Sequence, residues 1–456
     1  MDAERYWDTY LEMEKENGLF DKSIEGVFFW KLIRGRVYNN ILIDNRILHG
    51  RNYTVSQNNL LKVRDFIRYC GSAFTNLFKP FPRSDTLVIT SARKILVNGE
   101  YQDIYTHWLT ERLKRENANY LVLDVPLNWS RHPMKFDANT RKIENFTIIK
   151  KVLFKYLLFN FMFYKKELKG LSDTLIKLFG SDGNLVKEAQ DQIEIFKIDY
   201  KYYLKVLRKI QPKKIWLVVG YGNHGLIAAA KNLGIETEEI QHGLISKHHM
   251  NYGFGGLKNI PYFPDRLCLY GKIWWELSDL PLDEDKIDYY KFYITNNEFE
   301  NQEKKNKNSI MFLTQPTISK YIADFLERMN ECGSFKDYEI IVKIHPAEYD
   351  NWRDKNPKLA ILLGKMDNLQ VIDNYNTPLY ALFSKVETVV GVASTALFEA
   401  MCFNCKVYLL KVPCIKWMEP FGDVFPQPIK NVKELLYLLD NKVENSVNIS
   451  DVFYGA

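Results

Sequence analysis

Lys343 and His345 close an apolar run, Glu339 to Ile344, and Pro346 follows. In an extended strand, residues i and i+2 share a face, and the proline ends the run and fixes the loop direction. A histidine so placed can donate to a phosphate oxygen, or it can cap a backbone carbonyl. A second constellation is Gly391-Val-Ala-Ser394-Thr395, leading into Ala-Leu-Phe-Glu399. It reads as strand, small-residue turn and helix. Hydroxyls and backbone N–H groups then gather at a helix N-terminus, which favours anions. Glu399, four residues after Thr395, shares its helical face and is within reach of ribose hydroxyls; the plain alternative is an N-cap with a solvated carboxylate. Thr314-Gln315-Pro316 ends a third apolar run. Together Gln315, Lys343, His345, Pro346, Ser394, Thr395 and Glu399 predict a pocket for the phosphates and sugar of a nucleotide.

The first half carries a different set. Gln241-His242-Gly243 ends a short apolar run, and His248, His249 and Tyr252 follow. A neutral imidazole at His242 suits proton abstraction from a hydroxyl; a structural histidine bonded to backbone is the competing reading. His242, His248 and His249 lack a carboxylate at metal-ligand spacing, so no metal is expected. Gly220-x-Gly222-x-x-Gly225 follows a strand and opens a helix, with Glu238 and Glu239 where a ribose-binding acid would fall. This is formally the dinucleotide fingerprint. It stands late in its half, however, and a wall formed by Gly222, His224, Gln241 and Gly243 for an acceptor has the same sequence. Cys402-Phe-Asn-Cys405 is a CxxC without a second ligand pair. Asp283-Glu-Asp285 lies in a polar run that reads as solvated. No cofactor is expected.

Sheets must hold these residues. Apolar runs at 86–90, 120–126, 214–219 and 237–241 alternate with helical stretches, and the rhythm restarts at 309–314, 339–344, 369–372, 388–390 and 406–410. Strands alternating with helices imply parallel sheets. The expected fold is α/β, two Rossmann-like domains facing a cleft. Residues 1–80 read as helical or irregular, 81–278 as the acceptor domain, 279–308 as a solvated linker and 309–456 as the nucleotide-donor domain. At 456 residues the chain exceeds the usual single domain. Its net charge of +6 is too thinly spread to argue for nucleic acid. The N-terminus shows no secretory signal and the six cysteines are sparse, so cytoplasm is the expected compartment. Residues 148–169 are aromatic, interrupted and flanked by lysines, and too short to span a bilayer. They read either as a contact with an anionic membrane surface or as a helix buried between domains.

On these residues the chain resembles the two-domain GT-B glycosyltransferases of bacterial capsule and surface-polysaccharide synthesis. The similar families are capsular Kdo transferases and polysialyltransferases, and more distantly teichoic-acid glycerophosphotransferases. His345-Pro346, Ser394-Thr395 with Glu399, and Gln241-His242-Gly243 carry the resemblance over roughly 215–412. It implies that His345, Ser394 and Thr395 contact the donor nucleotide and that His242 is the base. It further implies an inverting, metal-independent transfer, here from a CMP-sugar by preference, to a surface glycan or its lipid-linked primer. Two rivals remain open: a nucleotide-sugar epimerase or NAD-dependent enzyme on a similar fold, and a non-catalytic subunit of polysaccharide assembly.

Overall fold

The computed structural model describes residues 3–48, 81–97, 100–125, 139–142, 164–291, 305–374, 377–412, 415–446 and 448–453. The apolar runs form strands. In the first domain these are β1 (Thr86–Ile89), β4 (Tyr120–Asp124), β5 (Thr140–Lys142), β6 (Lys214–Val218), β7 (Glu236–Ile240), β8 (Arg266–Leu269) and β9 (Ile287–Tyr289), with a separate antiparallel hairpin of β2 (Lys94–Val97) and β3 (Glu100–Asp103). The seven-stranded sheet runs β5-β4-β1-β6-β7-β8-β9 and every pairing is parallel. Val88, Val122 and Trp216 bury into one core, while Leu87, Ile89, Leu121 and Ile215 bury into another on the opposite face. Burial of both faces explains why these strands read as unbroken apolar runs rather than alternating ones.

The second domain holds β10 (Asn306–Leu313), β11 (Glu339–Lys343), β12 (Leu369–Ile372), β13 (Val386–Gly391) and β14 (Lys406–Leu409), in the order β12-β11-β10-β13-β14 and parallel throughout. Each sheet therefore grows outward in both directions from its first strand. The order reverses between β1 and β6 in one domain and between β10 and β13 in the other. Crevices at such reversals, outside the carboxyl ends of the strands, are where open α/β sheets bind ligands. The expected pair of Rossmann-like domains is present, in a GT-B-like arrangement.

Two features cut across the expected boundaries. The run after residue 279 is not linker from its start. A 3-10 turn at Glu284–Lys286 leads into β9, whose Asp288 accepts from Arg266 on β8. Parallel pairing at a sheet edge overrides the polar composition. The chain also returns at its end. The helix Ile449–Val452 packs on both domains, and Trp274 Nε1 of the first donates to the Val452 carbonyl at 2.8 Å. Trp274 itself is fully buried against Phe398 and Phe421 of the second domain. Residues 3–48 contribute two helices, Ala3–Glu16 and Phe29–Asp44, whose Tyr10, Trp30, Ile33, Val37 and Ile41 are fully buried. Phe29–Asp44 packs along the long helix Leu185–Ile210. Of the proposed membrane-facing segment, 148–163 lies outside the described residues. Among the described residues no helix is long and apolar enough to cross a membrane.

Candidate functional site

In the second domain hydrogen bonds tie together the segments that follow β10, β11 and β13. Thr314 Oγ1, just past β10, accepts from the His345 backbone N–H at 2.9 Å and ties that edge to β11. His345 starts the turn Pro346–Glu348 and caps it, its Nδ1 accepting from Ala347 N at 3.1 Å. An accepting Nδ1 puts the proton of a neutral ring on Nε2. The exposed His345 thus presents an N–H donor, which suits a phosphate oxygen. Ser394 is the N-cap of the helix Thr395–Cys402, accepting from Ala396 N at 3.2 Å, and the buried Thr395 is its first residue. Gln315 Nε2 donates to the Ala393 carbonyl. It therefore holds the small-residue turn in place. Glu399 is 1% exposed, and its Oε2 accepts no hydrogen bond among the described residues.

Lys343 is a correction. Its Nζ donates to Tyr349 Oη at 2.5 Å and to the Asn374 carbonyl at 3.0 Å. Burial pushes it down to about 8, partly offset by Asp373. The amine is thus engaged by Tyr349 and the Asn374 carbonyl rather than held out for a ligand.

In the first domain His242 sits at the end of β7 with its side chain 18% exposed. Its Nε2 is 3.0 Å from Tyr221 Oη, and its carbonyl accepts from Tyr105 Oη at 2.9 Å. Nδ1 is buried, without a hydrogen bond among the described residues, and Glu239 Oε1 is 3.9 Å away. Burial, and then the charge of Arg93, push the imidazole down to about 4. It is neutral at pH 7. If Tyr221 donates to Nε2, the ring proton lies on Nδ1 facing Glu239, and Nε2 is the basic nitrogen.

Glu239 explains the glycine motif. Its carboxyl fills the space beneath the turn: a Cβ on Gly220 would lie 2.3 Å from Glu239 Oε2, and Tyr252 Oη donates to Oε1 at 2.5 Å. Gly225 packs against Asp199 and Tyr200 of the long helix, where a Cβ would come within 2.7–2.9 Å. Two of the three fingerprint glycines thus admit protein atoms rather than a pyrophosphate. The turn begins with Val219 at φ +64°, a left-handed conformation that costs a β-branched residue about 1–3 kcal/mol.

Gln241 and His224 are further corrections among the wall residues. Gln241 is fully buried, with Oε1 accepting from Tyr270 N at 2.8 Å and Nε2 donating to the Gly243 carbonyl at 2.9 Å. It shapes the loop and lines nothing. His224 packs near Tyr262, on the side of the N-terminal helices, and burial with the charges of Lys31 and Arg36 pushes it down to about 3. Gly222 is exposed, and Gly243 has open space where a Cβ would stand. His248 turns to Glu419 of the second domain at 3.6 Å, and His249 packs on Tyr221 and Tyr252. Cys402 and Cys405 are free thiols, with Cys405 donating to the Phe383 carbonyl at 3.2 Å.

Sequence reasoning missed Arg93, Tyr105, Tyr221 and Lys31. The carboxyl-edge rule applied to β1 points to Thr90–Lys94 and would have found Arg93. Nothing in the spacing shows that Tyr105, beyond a hairpin, returns to the same edge. Lys31 arrives from an N-terminal helix, is 4% exposed and lies 4.5 Å from the Phe254 ring centroid. Burial pushes it down to about 7, with Glu239 opposing.

Burial also raises Glu239 to about 7, against the lowering effects of Tyr252, the Gly220 N–H and Lys31. The folded state then binds this proton more tightly than the unfolded chain. Its stability falls as pH rises from about 4.5 to about 7. Glu239→Gln keeps the protonated shape without titrating. The variant should therefore gain on the parent by about 1–3 kcal/mol between pH 5 and pH 8, read as a widening Tm difference. A constant difference would show that Glu239 does not titrate in this range.

The sequence matches no protein-family model and no curated protein. Solved structures similar to the chain include the Methanocaldococcus jannaschii UDP-GlcNAc 2-epimerase in complex with UDP-GlcNAc and UDP, at 12% identity and TM-score 0.47 over 81% of this chain and 95% of that one. Acinetobacter baumannii MurG is similar at 11% identity and TM-score 0.41, over 80% and 91%. The spinosyn rhamnosyltransferase SpnG, complexed with spinosyn aglycone, is similar at 12% identity and TM-score 0.36, over 72% and 80%.

Proposed function

We propose that the chain is a glycosyltransferase. It moves a sugar from a nucleotide-activated donor, a CMP-sugar by preference, to a hydroxyl of a surface glycan or its lipid-linked primer, with inversion. One observation supports the reading: Arg93, just past β1 in one domain, lies 3.9 Å from Glu399, on the helix after β13 in the other. On the second-domain side, the helix N-terminus at Ser394–Thr395 and the Nε2–H of His345 suit a phosphate that gains charge as it leaves. Fixed donors of this kind stabilise the transition state without reorganising. On the first-domain side, neutral His242 is suited to take the acceptor proton, with Glu239 behind Nδ1 to stabilise the imidazolium. Direct displacement with a base on the opposite face inverts the anomeric centre.

The test is calorimetry with CMP, UDP, CDP and NAD. A pyrimidine nucleotide should bind and NAD should not. His345→Ala should weaken the nucleotide about 10- to 100-fold, the cost of one hydrogen bond to a charged group. No nucleotide binding at millimolar concentration would leave a non-catalytic subunit as the better reading. Conversion of a nucleotide sugar without any acceptor would identify an epimerase.

A further inference from the structure

Arg93 lies between the two constellations and belongs to neither. Its guanidinium donates to Tyr105 Oη at 2.9 Å and lies 5.8 Å from the centre of that ring. Tyr105 Oη donates in turn to the His242 carbonyl, and its ring meets the imidazole edge-on at 6.3 Å. On the other side Arg93 Nη2 is 3.9 Å from Glu399 Oε2, a buried oxygen, and Tyr380 interacts with both the guanidinium and that carboxylate. That separation gives attraction without a hydrogen bond. A guanidinium has five N–H donors; among the described residues one hydrogen bond engages it, and 42% of the side chain is exposed.

The arm carrying these residues is anchored at its root. Lys94 Nζ is fully buried, 3.1 Å from Asp103 and 2.8 Å from Asp124, and it donates to Thr90 Oγ1 and the Ser91 carbonyl. Asp103 also accepts from Ser91 N at 2.7 Å, Tyr105 N at 3.1 Å and Thr106 N at 2.9 Å. Breaking such a buried charge cluster is costly, so the backbone at Arg93 and Tyr105 is held.

We propose that Arg93 is a positioning residue that couples the occupancy of Glu399 to the setting of His242, through Tyr105. The proposal rests on the function proposed above. Coupling requires an element with two arrangements that both sites bias. Here it is the guanidinium, either drawn to Glu399 or released when a nucleotide hydroxyl donates to Oε2. Release loosens the Tyr105 bridge to the His242 carbonyl and moves a positive charge relative to the imidazole. The other titratable groups around His242 are Glu239, Tyr221 and His249. They stand on β7 and on the loops after β6 and β7, off the path to Glu399.

The experiment is NMR of the full chain with labelled histidine, the His242 signals being assigned by their loss in His242→Asn. CMP and UDP are the probes. In the parent, the nucleotide should move the His242 imidazole signals. In Arg93→Met and in Tyr105→Phe it should still bind, within roughly threefold by calorimetry, with the His242 response lost; Arg93→Lys should restore part of it. Arg93→Met should also raise the apparent His242 pKa of the nucleotide-free protein, by about half a unit to one unit. A response that survives in both variants overturns the coupling, and so does an unchanged His242 titration in Arg93→Met. If nucleotide binds the parent and its His242 signals stay in place, the coupling alone falls. If neither nucleotide binds the parent, the proposed function falls and takes the coupling with it.

Discussion

Replacing His242 with Asn should slow glycosyl transfer by about a hundred- to ten-thousand-fold, the usual contribution of a general base, with nucleotide affinity within roughly threefold of the parent. Asn reaches only about as far as Nδ1, so it gives up the Nε2 contact with Tyr221 and cannot hold the proton. The carbonyl that accepts from Tyr105 belongs to the backbone and is retained. A fall in kcat without a matching change in nucleotide affinity is the signature of an interaction made in the transition state. A variant keeping more than a tenth of the parental rate would remove His242 from the role of base. An imidazole at about 4 is a weak base in the empty site. Glu239, 3.9 Å from Nδ1 and itself near 7, supplies a negative charge as pH rises. The transfer rate should accordingly increase with pH through about 7, and this limb should be absent in Glu239→Gln.

The second large effect concerns stability. Glu14 and Arg34 form an ion pair that is 1% and 0% exposed. Glu14 accepts from Arg34 Nε at 2.7 Å, from Arg34 Nη2 at 2.6 Å and from Trp30 Nε1 at 2.6 Å. Removing one partner strands a buried charge at a cost of about 3–5 kcal/mol. Glu14→Leu should therefore lower Tm by about 6–20 °C at about 2–4 °C per kcal/mol. The double variant Glu14→Leu/Arg34→Met should recover most of the loss, because an apolar pair of similar volume replaces a buried ion pair at little or no cost. Equal losses in the single and double variants would mean that packing, not charge, holds the helices. Arg34 Nη1 also donates to the Met250 and Gly253 carbonyls. The same substitution should therefore disturb the loop that follows His242.

Much of this molecule is legible in its sequence, and the legible part has a common cause. Parallel strands buried on both faces leave apolar runs, and their carboxyl ends leave polar punctuation. His345, Ser394 and His242 were found in that way. Which face of the N-terminal helix Phe29–Asp44 meets the core was not, because it is buried around much of its circumference, Lys31 and Arg34 included, and shows no amphipathic stripe. The burial of Glu239 escaped for a related reason. A carboxylate in a strand reads as exposed until the glycine turn above it is seen to leave it room. Lys343 and Gln241 show the complementary error. Strand position gives the face of a side chain, but not whether a neighbour such as Tyr349 or Tyr270 already holds it. Arg93 could be found only by applying the edge rule to every strand.

The docking of Ile449–Val452 on Trp274 has a mechanical consequence. The polypeptide passes between the domains twice, after β9 and again before residue 449, and the second passage is fastened by the Val452 carbonyl. The same fastening presses Trp274 onto Phe398 and Phe421. Phe398 is the neighbour of Glu399 in the chain, so the helix Ile449–Val452 secures the first domain to the second right beside the contact of Arg93 with Glu399.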